Sequence, residues 1–220
     1  MSVPLSTNRA AAHGAASSLS HPHMSTTATQ QGKTIGIFGG SFNPIHLGHI
    51  ALARHLLEAA SLDEVWFVVS PQNPLKHQAQ LMDDQLRWKM VCEALKEEPH
   101  LKPCDVEMRL PTPSYMWLTL QHLEKICPQH RFVLLIGGDN WQHFHRWYRH
   151  EDIIERYPIV IYPRGGSSEK IRTAALPSTV RVMKAPLLDI SSTMIRQRMA
   201  AGESIAHLVP APVASILQAP

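Results

Sequence analysis

A doubly wound α/β fold, a parallel sheet with helices packed on both faces, is predicted by three features of the chain. Short runs that are apolar throughout alternate with longer stretches whose apolar residues return at helical spacing. The runs lack the in-and-out alternation of a half-exposed sheet, so each strand is buried on both sides, as parallel strands require. The first run ends in two glycines just before a helical stretch, and such folds bind ligands at the carboxyl ends of their strands.

The elements follow in order. Thr34 to Phe38 (TIGIF) reads as a short buried strand, and from His46 to Ala60 the residues Ile50, Ala53, Leu57 and Ala60 share one helical face. Glu64 to Ser70 (EVWFVVS), β-branched and aromatic, is a second strand. Asp83 and Asp84 are placed to cap a helix carrying Leu86, Met90, Ala94 and Leu95 to about Glu98. A weaker strand covers Leu101 to Val106, and Ser114 is expected to cap a helix with Met116, Leu120 and Leu123 in phase. Arg131 to Ile136 (RFVLLI) is the clearest strand and ends in Gly137 and Gly138. A short helix over Glu151 to Arg156, strands over Ile159 to Tyr162 and Arg181 to Lys184, a helix from Ser191 to Ala200 stopped by Gly202, and a last helix after Pro210 complete the chain.

Composition bounds the function. The 220 residues, 44% hydrophobic and 18% charged, suit one globular domain with enough chain to bury a core. Residues 1–32 differ in kind: rich in Ala, Ser, Thr, His and Gln, without apolar period, they read as a disordered extension, with Met24 as an alternative start. The domain proper is therefore expected over 33–220. The extension lacks the basic and apolar regions of a secretory signal, and no apolar run approaches the roughly 20 residues that span a bilayer. Cys92, Cys104 and Cys127 stand far apart with no paired spacing, which argues for reduced thiols in the cytoplasm rather than a disulfide framework or zinc site. The formal charge of +3 is mild and forms no basic stripe, so no nucleic-acid or membrane partner is expected. Homo-oligomerisation is compatible with all of this and is not decided by it.

The chemistry concentrates in two places. The first strand runs into Gly39-Gly40-Ser41-Phe42-Asn43-Pro44-Ile45-His46-Leu47-Gly48-His49. Glycines let a backbone approach an anion and present its N–H groups, and the helix that follows adds its positive end. His46 and His49, three apart, share a face at that helix start, with Gly48 between them leaving room for a ligand. The second place is Ile190-Ser191-Ser192-Thr193-Met194-Ile195-Arg196, hydroxyls at a helix start with an arginine one turn in. Alone, each has a plainer reading: a turn, surface histidines, an ordinary cap. His143, His145 and His150 have no acidic or Cys partner in register and read as exposed or packing residues rather than metal ligands.

The first stretch fits neither the Rossmann nor the Walker glycine pattern. It resembles the (G)GxFxPxHxGH signature of the nucleotidyltransferase superfamily, and ISSTxIR resembles the second superfamily motif. Within that superfamily, from about Thr34 onward, the chain resembles the bacterial nicotinate-nucleotide adenylyltransferase family. The resemblance rests further on Ser70-Pro71-Gln72-Asn73-Pro74-Leu75-Lys76, Pro113-Ser114-Tyr115, Gly137-Gly138-Asp139 and Phe144-His145-Arg146-Trp147-Tyr148. It implies a Rossmann-like sheet of nucleotidyltransferase type and transfer of AMP from ATP to nicotinate mononucleotide, a step of NAD biosynthesis. It implies Mg²⁺ carried on the ATP phosphates and not held by protein side chains. Gly39, Gly40, Ser41 and Phe42 would supply backbone donors, and His46 and His49 would stabilise the α-phosphate. Lys76 and Arg196 would take phosphates with Ser192 and Thr193, and Asp139 would hold the adenosine part. Ser114, Tyr115, Trp147 and Tyr148 would form the nicotinate-nucleotide side.

The departures are Met116, where the family carries threonine after Pro-Ser-Tyr, and Asn43, where it usually carries aspartate. The related phosphopantetheine adenylyltransferases have threonine where this chain has His46. Class I tRNA synthetases share a looser first motif but need a much longer chain. A non-catalytic nucleotide-binding module would have lost His49 or Arg196, and both are present.

Overall fold

The computed structural model describes residues 32–72, 81–163, 176–185 and 189–218. The chain divides into two units, Met1–Gln30 and Gln31–Pro220, and everything described belongs to the second. The expected disordered extension falls almost entirely outside the described residues.

Six parallel strands form one sheet: β1 (Thr34–Gly40), β2 (Glu64–Val69), β3 (Leu101–Cys104), β4 (Arg131–Gly137), β5 (Ile159–Tyr162) and β6 (Val180–Val182), in the order β3-β2-β1-β4-β5-β6. The order reverses between β1 and β4, which opens a crevice at their carboxyl ends. The helices are α1 (Leu47–Ala59), α2 (Asp84–Leu95), α3 (Met116–Ile126), α4 (Gly138–Trp141), α5 (His150–Arg156), α6 (Ser192–Ala200) and α7 (Ala211–Gln218).

Strand pleat sends successive side chains to opposite faces, and both faces are covered. Phe38, Phe67, Val69, Leu135 and Val160 join one core with residues of α1, α2, α6 and α7. Ile35, Ile37, Leu134, Ile136, Ile159 and Ile161 join the other, with Trp117, Leu120 and Leu123 of α3 and Ile153 of α5. This is why the strands read as continuous apolar runs.

Local signals place most helix starts. Asp83 caps α2, its carboxylate accepting from the N–H groups of Gln85 and Leu86 at 2.9 and 3.1 Å. Ser191 caps α6, its hydroxyl accepting from Met194 N–H at 3.2 Å. The expected cap of α3 does not form. Its N-cap is Tyr115, which makes no side-chain cap bond. Ser114 is buried beside the Glu107 carboxylate instead, so tertiary burial has taken the hydroxyl that local chemistry assigned to the helix. The last strand is shorter than expected, and the short helix α4 after β4 was not foreseen.

Candidate active site

β1 delivers the chain to the switch point, and the loop from Ser41 to His46 turns there into α1. Phe42 adopts the left-handed region at φ 43° and is nonetheless buried, its ring 5.3 Å from Phe67 and 5.7 Å from Phe38. Burying that ring offsets the backbone cost of a non-glycine residue in that region. Gly40 is needed beside it, because a Cβ there would come within 3.0 Å of the Phe42 ring.

The two histidines sit as a unit at the start of α1. Their rings stack at 3.6 Å, with His46 buried and the His49 ring edge-on to Phe42 at 5.1 Å. The backbone N–H of His46 donates to Nδ1 of His49 at 3.2 Å. A backbone N–H can only donate, so Nδ1 is the acceptor and the proton of a neutral His49 ring resides on Nε2. His49 is thereby set to offer Nε2–H as a hydrogen-bond donor. Gly48 also makes room for the His46 ring: a Cβ there would lie 3.0 Å from Nδ1 and 3.1 Å from Cε1 of His46.

The second motif docks on the first. Arg196, one turn into α6, donates to the carbonyl of Asn43 at 2.8 Å and to the Thr193 hydroxyl at 3.3 Å. The Ser192 hydroxyl donates to the carbonyl of Pro44 at 2.9 Å. Ser192, expected to hold phosphate through its hydroxyl, thus has that proton directed to the loop, and its placement joins the two motifs. Thr193 is exposed and Arg196 half-buried at the rim. The carboxamide oxygen of Asn43 accepts from Met82 N–H at 3.0 Å, a bond that the aspartate usual at this position could make equally well.

Across the crevice β4 ends in Gly137, and Asp139 is exposed in the first turn of α4. Further out, Tyr115 and Tyr148 pair at 5.1 Å, with Tyr148 exposed. Trp147 is half-buried, its ring 5.1 Å from Phe144, and it packs on the second core, so its ring is structural on one side. Met116 reaches the end of β1: a Cβ on Gly39 would lie 2.8 Å from its Cε. Lys76 lies outside the described residues.

Two buried charges escaped the sequence reading. Arg87 of α2 is fully buried, and Glu107 is 3% exposed, accepting from the Thr119 hydroxyl at 2.9 Å. Burial pushes the Glu107 carboxyl above its usual value, against the pull of the Ser70, Thr119 and Ser114 hydroxyls. The signal for Arg87 was present: with Met90, Val91 and Ala94 it holds the i, i+3, i+4, i+7 positions of a buried face.

Residues 37–198 match the family described as cytidylyltransferase-like. A probable nicotinate-nucleotide adenylyltransferase of Bacteroides fragilis is 46% identical over 184 residues, covering 83% of this chain and 90% of the relative. That of Bacteroides thetaiotaomicron is 50% identical over 164 residues, covering 74% and 80%. The chain belongs to the nicotinate-nucleotide adenylyltransferase family. Its fold is shared with the Plasmodium falciparum nicotinic acid mononucleotide adenylyltransferase solved with NaAD, at a TM-score of 0.69 and 19% identity over 84% of this chain and 94% of that one. Family membership bears out the doubly wound fold and the resemblance read from the two motifs.

Proposed function

We propose that the chain transfers the adenylyl group of ATP to nicotinate mononucleotide, giving nicotinate adenine dinucleotide and pyrophosphate. The observation that carries this reading is the docking of the Ser191–Arg196 helix start on the loop that ends in His46 and His49, at the switch point of the sheet. It supports a reading in which both segments face the phosphates of ATP.

In this reading an oxygen of the mononucleotide 5′-phosphate attacks the α-phosphorus of ATP. The bond from that phosphorus to the bridging oxygen breaks and pyrophosphate leaves. No side chain need form a covalent intermediate, and rate comes from alignment and from donors aimed at developing charge. Backbone N–H groups of Gly39, Gly40, Ser41 and Phe42, with His46 and the Nε2–H of His49, meet the triphosphate. Arg196, Thr193 and, from the resemblance, Lys76 meet its outer phosphates, and Asp139 the adenosine. Mg²⁺ carried on those phosphates, as the resemblance implies, would add positive charge there.

The pyridine side is assigned to Ser114, Tyr115, Trp147 and Tyr148. The α3 start favours a carboxylate, because its first N–H groups have no side-chain cap and lie at the positive end of an 11-residue helix. The unpaired spacing of Cys92, Cys104 and Cys127 supports assigning the enzyme to the cytoplasm. The test is pyrophosphate release from Mg·ATP with a panel of mononucleotides. Release with nicotinate mononucleotide is expected; release only with phosphopantetheine or another acceptor would overturn the assignment.

A further inference from the structure

Arg87 engages every N–H of its guanidinium fork while remaining fully buried. Nε donates to Met82 O at 3.1 Å, and one terminal nitrogen donates to Ser41 O at 2.7 Å and Ser70 O at 2.8 Å. The other donates to Pro71 O at 3.2 Å and to the Asp84 carboxylate at 2.5 Å. Asp84 is half-exposed, so the charge is balanced on one side by a rim carboxylate and elsewhere by carbonyl dipoles. Ser41 O belongs to the loop after β1, and Ser70 O and Pro71 O to the loop after β2. One side chain therefore fixes both loops at the carboxyl ends of adjacent strands.

The consequence lies in the Ser41–Phe42 peptide. That bond is trans, since the cis bonds among the described residues are Asn43–Pro44 and Thr112–Pro113. In a planar trans peptide the carbonyl and the N–H point in opposite directions. Holding Ser41 O on the buried guanidinium turns the Phe42 N–H away from it, outward from the core. Phe42 at φ 43° is a residue whose backbone would relax if its carbonyl neighbour were released. The β2 exit is tied in too, for Ser70 N–H donates to Gly40 O at 2.9 Å and Gln72 O accepts from Ser114 N–H at 3.1 Å, the residue before the N-cap of α3.

We infer that Arg87 is a positioning residue for adenylyl transfer: it aims the Phe42 N–H of the phosphate loop and holds that loop in register with the segment leading to α3. The inference rests on the adenylyltransferase reading above. A fork is required for this, because an ammonium cannot reach carbonyls on two loops and a carboxylate in one plane.

The test compares wild type, Arg87→Lys and Arg87→Ala, each at a temperature where circular dichroism shows it folded. Arg87→Lys keeps the charge and is expected to lower kcat by about ten- to a hundredfold, the cost of a small misplacement of a reacting group. Its KM for nicotinate mononucleotide should change little. Arg87→Ala should lose more, and ethylguanidinium should restore part of the rate. A kcat for Arg87→Lys within about twofold of wild type per folded molecule would overturn the inference. Titration with inorganic pyrophosphate separates the two readings. Even if wild type proved inactive on nicotinate mononucleotide, Arg87→Lys should bind pyrophosphate about tenfold more weakly, and equal affinity would overturn the positioning role.

Discussion

Arg196 donates to the backbone carbonyl of Asn43 at 2.8 Å across 153 positions of sequence, so the loop after β1 and the start of α6 hold each other. The arginine is at once a charge at the rim and a brace for the cis Asn43–Pro44 turn. Its guanidinium spends one nitrogen on Asn43 and another on Thr193.

Arg196→Lys should therefore cost more than a charge count implies. The ammonium keeps the positive charge but cannot span Asn43 O, Thr193 Oγ1 and a phosphate together. The expected outcome is a raised KM for ATP and a fall in kcat of about tenfold or more, with the melting temperature nearly kept. Steady-state kinetics against ATP, paired with a thermal melt, checks both halves.

The two nitrogens of His49 have different tasks in the proposed reaction, and different substitutions separate them. Asparagine can place an oxygen near Nδ1 and keep the bond from His46 N–H, but it lacks a donor at Nε2. Glutamine can place its amide N–H near Nε2 but loses the Nδ1 acceptor. His49→Asn should lose about 10²- to 10³-fold in kcat, as for removal of one aimed donor, at little cost in stability. His49→Gln should retain more activity and lose about 1–3 kcal/mol of stability. The reverse ranking would show that the ring acts through packing on Phe42 rather than as a donor.

Gly48→Ala sets two effects against each other. Alanine in place of helical glycine gains roughly 0.5–1 kcal/mol from backbone entropy. Its Cβ, however, would lie 3.0 Å from the His46 ring, which must move. We expect a melting temperature close to wild type and a clear drop in kcat. Unchanged kcat would mean that His46 works equally well displaced.

Nicotinate mononucleotide should be strongly preferred over nicotinamide mononucleotide. The uncapped start of α3 presents N–H groups, which donate to both oxygens of a carboxylate but meet the NH₂ of an amide without an acceptor. A buried donor left unpaired costs about 1–3 kcal/mol, and two would separate the substrates by orders of magnitude in kcat/KM. Met116 adds no acceptor. Parallel measurements of kcat/KM under the same Mg·ATP decide the matter, and equal values would remove the pyridine pocket from around Tyr115.

Glu107 makes stability depend on pH. Burial raises its folded carboxyl above the unfolded value, so the native state binds the extra proton in the window between the two. Stability attributable to this group is then greatest below the unfolded value and declines as pH rises through the folded one. Glu107→Gln, which cannot ionise, should flatten that decline in chemical-denaturation curves taken across the carboxylate range. An unchanged slope would assign it to other groups.

The sequence by itself determined the strand and helix order, because apolar period and strand length are local properties and both faces of this sheet are buried. It also determined the first motif and its partner, since the residue types that bind phosphate at a loop and helix start are legible wherever they occur. Asp83 and Ser191 capped as expected because their partners lie within three residues. What only the tertiary structure decided involves groups distant in sequence. Ser114 surrendered its cap to the neighbourhood of Glu107, and Gly48 also makes room for the His46 ring. Ser192 turned its proton to Pro44, 148 positions away. Arg87 anchors two loops through carbonyls that its own helical spacing does not name. Those outcomes follow from burial: a polar group removed from water must take whatever partner the fold brings within reach, and no local spacing names that partner.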